Sequence, residues 1–226
     1  MRFATALIVV QSLLAINPAD LRGARDRQDR AGLEKLIAEL NVNAQKNGAD
    51  AKAQYKLALA NSYLAEVNLE LRMKAEAKTA AEAGVQAARR AVEMEPNNAE
   101  FHRLLGTLCG QVIPANVLAG LKYGRCAMDE VNKAIEIDPK SSDAWMSRGV
   151  GNYYLPAQFG GGVQKAVEDL EKAIELNGKS ADAHVWLGVA LRKNNLAADA
   201  RKALEKALAL NPNRVWAKQL LEKLPQ

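Results

Sequence analysis

The chain has 226 residues, of which 49 % are hydrophobic, 25 % charged and 5 % aromatic. This composition excludes a wholly disordered chain, and the scarcity of aromatic residues argues against a β-sandwich or β-barrel. The net charge of +5 is modest, and two cysteines and two histidines are too few for a zinc site without carboxylates or for a disulfide-dense scaffold.

Near the start of the chain, Arg2 is followed by an apolar stretch over residues 3–16, which Asn17-Pro18 ends. This stretch is too short to span a bilayer as a helix and is typical of the hydrophobic region of a signal peptide. We predict a signal peptide over 1–19, a charged linker over 20–29, and a periplasmic or secreted location. The alternative is a buried N-terminal helix in a cytoplasmic protein.

Four similar segments recur along the rest of the chain: Ala91–Pro96, Ala134–Pro139, Ala173–Gly178 and Ala207–Pro212. Their first alanines lie 43, 39 and 34 residues apart. A period near 34 residues indicates a helix–turn–helix repeat whose second helix ends at a proline. The last unit carries the small and apolar residues of that pattern in register: His184, Leu187, Gly188, Leu191, Ala200, Leu204, Ala207 and Pro212. The chain therefore resembles the tetratricopeptide repeat (TPR) family over about residues 51–212.

This resemblance implies an all-α fold, a right-handed α–α superhelix of about four helix pairs. We expect repeats over 51–96, 99–139, 142–178 and 181–212, within one domain that spans 30–226. The predicted helix pairs are 51–72 with 77–94, 99–112 with 122–137, 142–155 with 163–176, and 181–193 with 197–210. A helix near 30–46 and another over 213–224 would cap the ends, because a terminal unit otherwise exposes an apolar face.

Two units are longer than the TPR pattern between their two helices, after Gly106 and after Gly149. Insertions in a repeat protein project from one face, which is often a binding face. The alternative is that they are tolerated surface loops. The candidate residues in these inserted loops are Pro114, Lys122, Tyr123, Pro156, Phe159, Gly160, Gly161 and Gly162.

The second insertion carries a further resemblance. Tyr153-Tyr154-Leu155-Pro156, the three glycines and Lys165-Ala166 are similar to a pattern in two TPR subfamilies. These are the TatT-type accessory proteins of periplasmic TRAP transporters and the regulator-of-microtubule-dynamics family. The acidic residue expected after the second glycine is absent here.

The TPR resemblance implies that the first helix of each pair lines a concave groove, into which repeat positions 2, 5, 9, 12 and 13 point. The predicted groove residues are Tyr55, Leu59, Tyr63, Arg103, Thr107, Gln111, Met146, Val150, Tyr153, Tyr154, Val185, Val189, Arg192 and Lys193. Such a mixture of apolar, aromatic and cationic side chains suits an extended peptide or an amphiphile with a carboxylate. The alternative for each tyrosine is packing between adjacent first helices. Tyr55 and Leu59 stand where the clamp for a free C-terminal tail needs Lys and Asn.

No catalytic motif with suitable spacing occurs, so we predict a protein with no catalytic residues, no metal and no cofactor. Basic residues are interspersed with glutamates in different units, which argues against nucleic-acid binding. The function that we expect is a non-catalytic scaffold that binds a protein or peptide partner in its groove. The alternative is a periplasmic, TatT-like accessory protein that holds a small amphiphile, and neither hypothesis includes a membrane span after signal removal.

Three single residues complete the expectations. Cys109 and Cys126 flank the longer insertion and would form a disulfide in an exported protein or remain small core residues in a cytosolic one. We favour two free, partly buried thiols. Arg148 stands where the TPR family has leucine, so it must reach solvent or pair with a carboxylate, and we favour exposure of its charged end.

Overall fold

The computed structural model describes residues 16–225, and the predicted signal peptide lies almost wholly outside them. The described part is all-helical, with two short 3₁₀ turns at Ile113–Ala115 and Ala157–Phe159. Its helices are α1 (Pro18–Asp26), α2 (Arg30–Lys46), α3 (Ala51–Glu70), α4 (Lys74–Met94), α5 (Ala99–Val112), α6 (Val117–Ile137), α7 (Ser142–Tyr154), α8 (Val163–Leu176), α9 (Ala181–Lys193), α10 (Ala197–Leu210) and α11 (Val215–Glu222).

The helices form four hairpins: α3 with α4, α5 with α6, α7 with α8, and α9 with α10. Each first helix also contacts the next first helix, which places α3, α5, α7 and α9 side by side along the concave face. Helix α2 packs on α3 at one end, and α11 packs on α10 at the other. The predicted superhelix of four helix pairs with capping helices is therefore confirmed.

Local sequence signals set where the helices begin. The side chains of Asp50, Asn98, Ser141 and Ser180 each accept a hydrogen bond from a backbone N–H in the first turn of the helix that follows. These bonds satisfy donors that a helix start otherwise leaves without a partner. Two of the connectors that precede those caps carry Pro96 and Pro139, and a proline prevents the preceding helix from continuing.

Close packing within a hairpin depends on a glycine that recurs in the first helix. A Cβ atom at Gly106 would lie 2.6 Å from Cγ2 of Val131, and one at Gly188 would lie 2.7 Å from Cγ of Leu204. Both distances are too short for carbon atoms, so the second helix can approach this closely only because the side chain is a hydrogen atom.

The predicted charged linker over 20–29 is wrong for most of its length, because α1 occupies it. Asn17 and Asp20 form a reciprocal capping box, and Pro18 stands in the first turn, where its missing N–H costs nothing. Leu21 and Ala24 are buried against the main core. Of the six charged residues over 20–29, Arg25 and Asp26 are buried in ion pairs, and Asp20, Arg22, Arg27 and Asp29 are exposed.

Two further expectations are corrected by the structure. Cys109 on α5 and Cys126 on α6 form a disulfide across a Cα–Cα distance of 6.0 Å, so the prediction of free thiols is wrong. The pairing follows from the hairpin, which brings the two cysteines to facing positions. The prediction that the charged end of Arg148 is exposed is also corrected. Its guanidinium pairs with a carboxylate instead and donates two hydrogen bonds to Asp169, at 3.0 and 2.7 Å.

Candidate functional site

The concave face carries a chain of polar contacts through its middle. Tyr55 on α3 donates a hydrogen bond to Glu100 on α5 at 2.9 Å, and Arg103 donates two to the same carboxylate at 2.6 Å each. Burial alone would raise the pKa of Glu100, but the Arg103 guanidinium outweighs it and lowers that pKa. Burial and the adjacent Glu100 carboxylate raise the pKa of Tyr55. These groups bind one another and tie α3 to α5.

Several predicted groove residues use their side chains inside the protein. Leu59, Val185 and Val189 are buried in the hydrophobic core, so they support the groove wall rather than offer contact surface. Thr107 donates to Ser147 on α7 at 3.1 Å, and Gln111 exchanges hydrogen bonds with Ser62. Met146 and Val150 are half-buried on α7.

Six charged side chains meet where the N-terminal helices reach the C-terminal ones, and we call them the ion cluster: Arg25, Asp26, Glu66, Glu70, Asp182 and Arg214. Arg25 on α1 contacts Asp182 on α9 at 2.9 Å. Arg214, which precedes α11 and is almost fully buried, donates to Glu66 at 2.7 Å and to Glu70, both on α3. The first hairpin is thereby joined to the last across the concave face.

Burial and pairing act on the carboxylates of the ion cluster in opposite directions. Burial raises the pKa of Glu70 to about 7, although Arg214 opposes this shift, and the neighbouring Glu66 adds to it. Burial would also raise the pKa of Asp182, but Arg25 and Arg214 outweigh it and lower that pKa. The pKa values of Asp182 and Glu70 shift in opposite directions because Asp182 contacts two guanidinium groups and Glu70 contacts one.

Helix α1 covers the N-terminal half of the groove. The guanidinium of Arg25 lies 5.1 Å from the ring centroid of Tyr63, a predicted groove residue. Gln28, just after α1, donates to Glu70 at 2.8 Å and exchanges hydrogen bonds with Gln219 on α11. The ring of Tyr63 therefore lies beneath α1 on this side of the protein.

Four aromatic side chains occupy the C-terminal half of the concave face, and we call them the aromatic cluster: Tyr153, Tyr154, Trp186 and Trp216. Neighbouring ring centroids lie 4.9 to 6.2 Å apart in edge-to-face arrangements, which aromatic pairs prefer. Tyr154 is 57 % exposed, while Tyr153, Trp186 and Trp216 are half-buried. The cluster links α7, α9 and α11 and presents aromatic surface to solvent.

Two exposed cations flank the aromatic cluster. The Nζ atom of Lys193 lies 4.2 Å from the ring centroid of Tyr153 and donates to the backbone carbonyl of the same residue at 3.0 Å. Arg192, beside it on the last turn of α9, is also exposed. Aromatic rings and cations side by side offer contacts to apolar groups and carboxylates together.

The first inserted loop is shorter than predicted, because α6 begins at Val117 and Lys122 and Tyr123 therefore lie on a helix. Pro114 lies in the 3₁₀ turn, and the ring of Tyr123 is buried while its hydroxyl donates to Glu82 on α4 at 3.1 Å. Lys122 is exposed, with Nζ 5.0 Å from the Tyr123 ring centroid.

The second inserted loop is a tight turn. Gly160 and Gly162 adopt φ angles of +89° and +108°, which favour glycine. The N–H groups of Gly161 and Gly162 donate to the carbonyls of Pro156 and Asn152. Pro156 and Phe159 are exposed.

Sequence reasoning missed all six residues of the ion cluster and the two tryptophans of the aromatic cluster. Position 2 of the TPR unit faces the groove, and it holds Glu100, Asp182 and, in α11, Trp216. Comparing that position across the units would have found these three residues. Arg25 and Asp26 left no comparable signal, because their partners are distant in the sequence.

Two physical features of the described residues bear on function. No helix within residues 16–225 combines the length and apolar character that a bilayer-spanning segment needs. Among the same residues, no group of His, Cys, Asp and Glu side chains is arranged to hold a metal ion.

The fold is similar to that of solved structures of other proteins. A thermophilic TPR protein of Thermus thermophilus matches with a TM-score of 0.62 and 17 % identity, over 90 % of this chain and 98 % of that one. The HusA haemophore of Porphyromonas gingivalis matches with a TM-score of 0.56 and 19 % identity, over 88 % of this chain and 95 % of that one. At these identities the likeness shows the fold alone. No curated protein matches the chain.

Two family profiles divide the chain between them. The tetratricopeptide repeat profile matches residues 157–215, which confirms the TPR resemblance for the last units. The profile described as regulator of microtubule dynamics protein 1-3 matches residues 19–155, more than half of the chain. The match begins near α1 and includes the first inserted loop. The chain is thus a TPR protein that belongs to the regulator of microtubule dynamics protein 1-3 family.

Proposed function

We propose that this protein is a non-catalytic scaffold that binds an extended segment of a partner protein on the C-terminal half of its concave face. The TPR fold is typical of protein-interaction scaffolds, and such proteins are generally non-catalytic. The observation that carries the proposal is the aromatic cluster, where Tyr154 is largely exposed beside Arg192 and Lys193.

The position of this surface follows from what the rest of the groove already contacts. Helix α1 covers α3, the ion cluster joins α1 and α3 to α9 across the face, and the Tyr55–Glu100–Arg103 contacts fill the middle. Tyrosine, tryptophan and arginine are also the residues that contribute most to binding at protein interfaces. A partner segment with an apolar side chain for the rings and a carboxylate for Arg192 fits this surface best.

An oxidising compartment forms part of the proposal. The Cys109–Cys126 disulfide supports it, because disulfides persist in exported proteins and are rare in the cytosol of most organisms. The apolar stretch over 3–16 gives independent support from the sequence. Fractionation of the native host, with the redox state of the two cysteines measured in each fraction, tests this part.

The partner surface is tested with a variant and a matched control. Peptides selected by display on the wild-type protein are synthesised, and their dissociation constants are measured for Tyr154→Ala/Arg192→Ala and for Phe159→Ala. Both variants change exposed side chains, so both should stay folded. We expect the double variant to weaken binding by about tenfold or more, which corresponds to about 1.4 kcal/mol. Phe159→Ala should bind as the wild type does.

Two results would contradict the proposal. Equal binding by the double variant and the wild type would exclude the aromatic cluster as the partner site. A small amphiphile that copurifies with the protein, detected by native mass spectrometry and lost in the double variant, would instead favour the transport-accessory role.

A further inference from the structure

The hairpin topology gives this protein two unlike edges. Connectors within a hairpin lie at one edge of the solenoid, and connectors between hairpins lie at the other, because successive helices run in opposite directions. We call the first one the loop edge and define it as the connectors with the adjoining helix ends: residues 71–75, 113–122, 155–165 and 192–198.

The loop edge carries most of the large apolar side chains that the protein exposes. Leu118 and Leu121, on the first turns of α6, are 73 % and 79 % exposed, and Phe159 in the second inserted loop is 70 % exposed. Leu71 and Leu196 are exposed at the same edge in the first and last hairpins. Among the residues that the structure describes, the other exposed large hydrophobics are Val42, Met94 and Tyr154.

The charge of the loop edge has one sign. It contains six basic residues and, over the defined ranges, neither aspartate nor glutamate. The basic residues are Arg72, Lys74, Lys122, Lys165, Arg192 and Lys193. The connectors of the opposite edge carry both signs, with Asp50, Glu95 and Asp138 beside Lys140 and Lys179. An edge that is both apolar and basic therefore faces away from one that is polar and of mixed charge.

Two exposed leucines and a lysine also lie together on one face of α6. Leu118, Leu121 and Lys122 are related by three and four residues, so they project from the same side of α6. Exposed leucines with lysines around them are the chemistry of a surface that enters the headgroup region of a bilayer, where apolar groups meet the acyl chains and cations meet anionic headgroups. The residues also come from four separate hairpins, so they form a broad edge rather than a groove for one peptide.

We propose that the loop edge docks on the surface of an anionic lipid bilayer, with Leu118, Leu121 and Phe159 inserted and the basic residues in contact with the headgroups. This inference does not depend on the partner site of the aromatic cluster. It places this edge on a membrane surface by contacts that need no bilayer-spanning helix among residues 16–225.

The test is cosedimentation of the full chain with vesicles of phosphatidylcholine, alone or with about 30 % phosphatidylglycerol. The edge variant is Leu118→Ser/Leu121→Ser/Phe159→Ser. The control variant, Val42→Ser/Met94→Ser, removes exposed apolar side chains from outside the loop edge. We expect the wild type and the control to bind anionic vesicles, and the edge variant to bind them at least about tenfold more weakly. Binding of the wild type should fall as salt is added, because the headgroup contacts are electrostatic.

Each alternative outcome overturns the proposal. Equal binding by the edge variant and the wild type would assign any vesicle binding to another part of the full chain. Equal binding to neutral and anionic vesicles would exclude the headgroup contacts. Binding to polyglutamate without binding to vesicles would identify the edge as a site for an acidic protein. Circular dichroism of all three proteins checks that the substituted side chains, which are exposed, leave the fold unchanged.

Discussion

Replacement of Arg214 by methionine tests whether the ion cluster holds the two ends of the solenoid together. Arg214 is 1 % exposed, and its guanidinium contacts Glu66 and Glu70 on α3 and Asp182 on α9. Methionine is a long, flexible side chain without charge, so Arg214→Met removes the cation with little loss of packing.

The expected loss of stability follows from the partners that remain. Arg25 still contacts Glu66 and Asp182 in the variant, whereas Glu70 keeps only the amide of Gln28. The main cost is therefore one buried carboxylate without a cation. Removing one partner of a buried ion pair typically costs about 3–5 kcal/mol in the free energy of unfolding. We expect this loss at pH 8 and a smaller one at pH 5, where Glu70 can bind a proton.

The assay is urea unfolding followed by far-UV circular dichroism at both pH values. Arg125→Met is the matched control, because the Arg125–Asp129 pair is exposed and such pairs contribute about 0–1 kcal/mol. The double variant Arg214→Met/Glu70→Gln should recover part of the stability that Arg214→Met loses at pH 8. A loss below about 1 kcal/mol for Arg214→Met at pH 8 would refute the reasoning, since no buried carboxylate would then depend on that guanidinium.

Three further predictions concern the ionisation of Glu70, the Cys109–Cys126 disulfide and the helix packing at Gly106. The folded-state pKa of Glu70, about 7, lies above its ordinary value of 4.5, so this group lowers stability as pH rises from about 5 through 7. Glu70→Gln should therefore raise the melting temperature relative to wild type more at pH 8 than at pH 5, and an equal shift at both would contradict this. Reduction of the Cys109–Cys126 disulfide should cost about 3 kcal/mol of unfolding free energy, measured in urea with and without reductant, because it frees a loop that spans a sequence separation of 17. Gly106→Ala should destabilise by about 1–3 kcal/mol, since its Cβ would lie 2.6 Å from Val131, whereas Gly124→Ala, with nothing within 4 Å, should be neutral or stabilising in the same urea assay.

The helices and hairpins were predictable because TPR packing repeats in the sequence. Gly106, Gly149 and Gly188 recur where a second helix approaches, and the prolines that end second helices recur at the same register. A local period of this kind fixes which residues face each other within a unit. It therefore predicted the bounds of α5, α9 and α10 and the end of α6, whereas α6 begins at Val117, earlier than the predicted start at residue 122 because the insertion extends the helix.

Contacts between distant units were not predictable in the same way. Arg25 and Asp182 are 157 residues apart, and no periodic pattern relates α1 to α9. Charge composition was also misleading for α1, because a segment rich in arginine and aspartate is normally solvated. The capping box of Asn17 and Asp20 was the available signal for a helix here, and it is visible in the sequence.

The candidate site was only partly predictable for a related reason. Repeat position predicted that Tyr153 and Tyr154 belong to the concave face, and they lie in the aromatic cluster there. It could not predict that α1 covers Tyr63, because that contact depends on a segment outside the repeats. Whether Tyr154 binds a partner stays a prediction.

The contact between the two ends of the solenoid determines which parts of the concave face stay exposed. In an open repeat array each unit contacts only its neighbours, and the whole concave face is available to a partner. Here α1 buries Leu21 and Ala24 against the core, and the ion cluster then fixes α3 against α9 and the segment before α11. A buried ion cluster contributes little net stability, because the cost of desolvating its charges offsets much of their attraction. The apolar burial of α1 therefore stabilises the closed form, the ion pairs join α3 to α9, and exposed apolar surface remains at the aromatic cluster and along the loop edge.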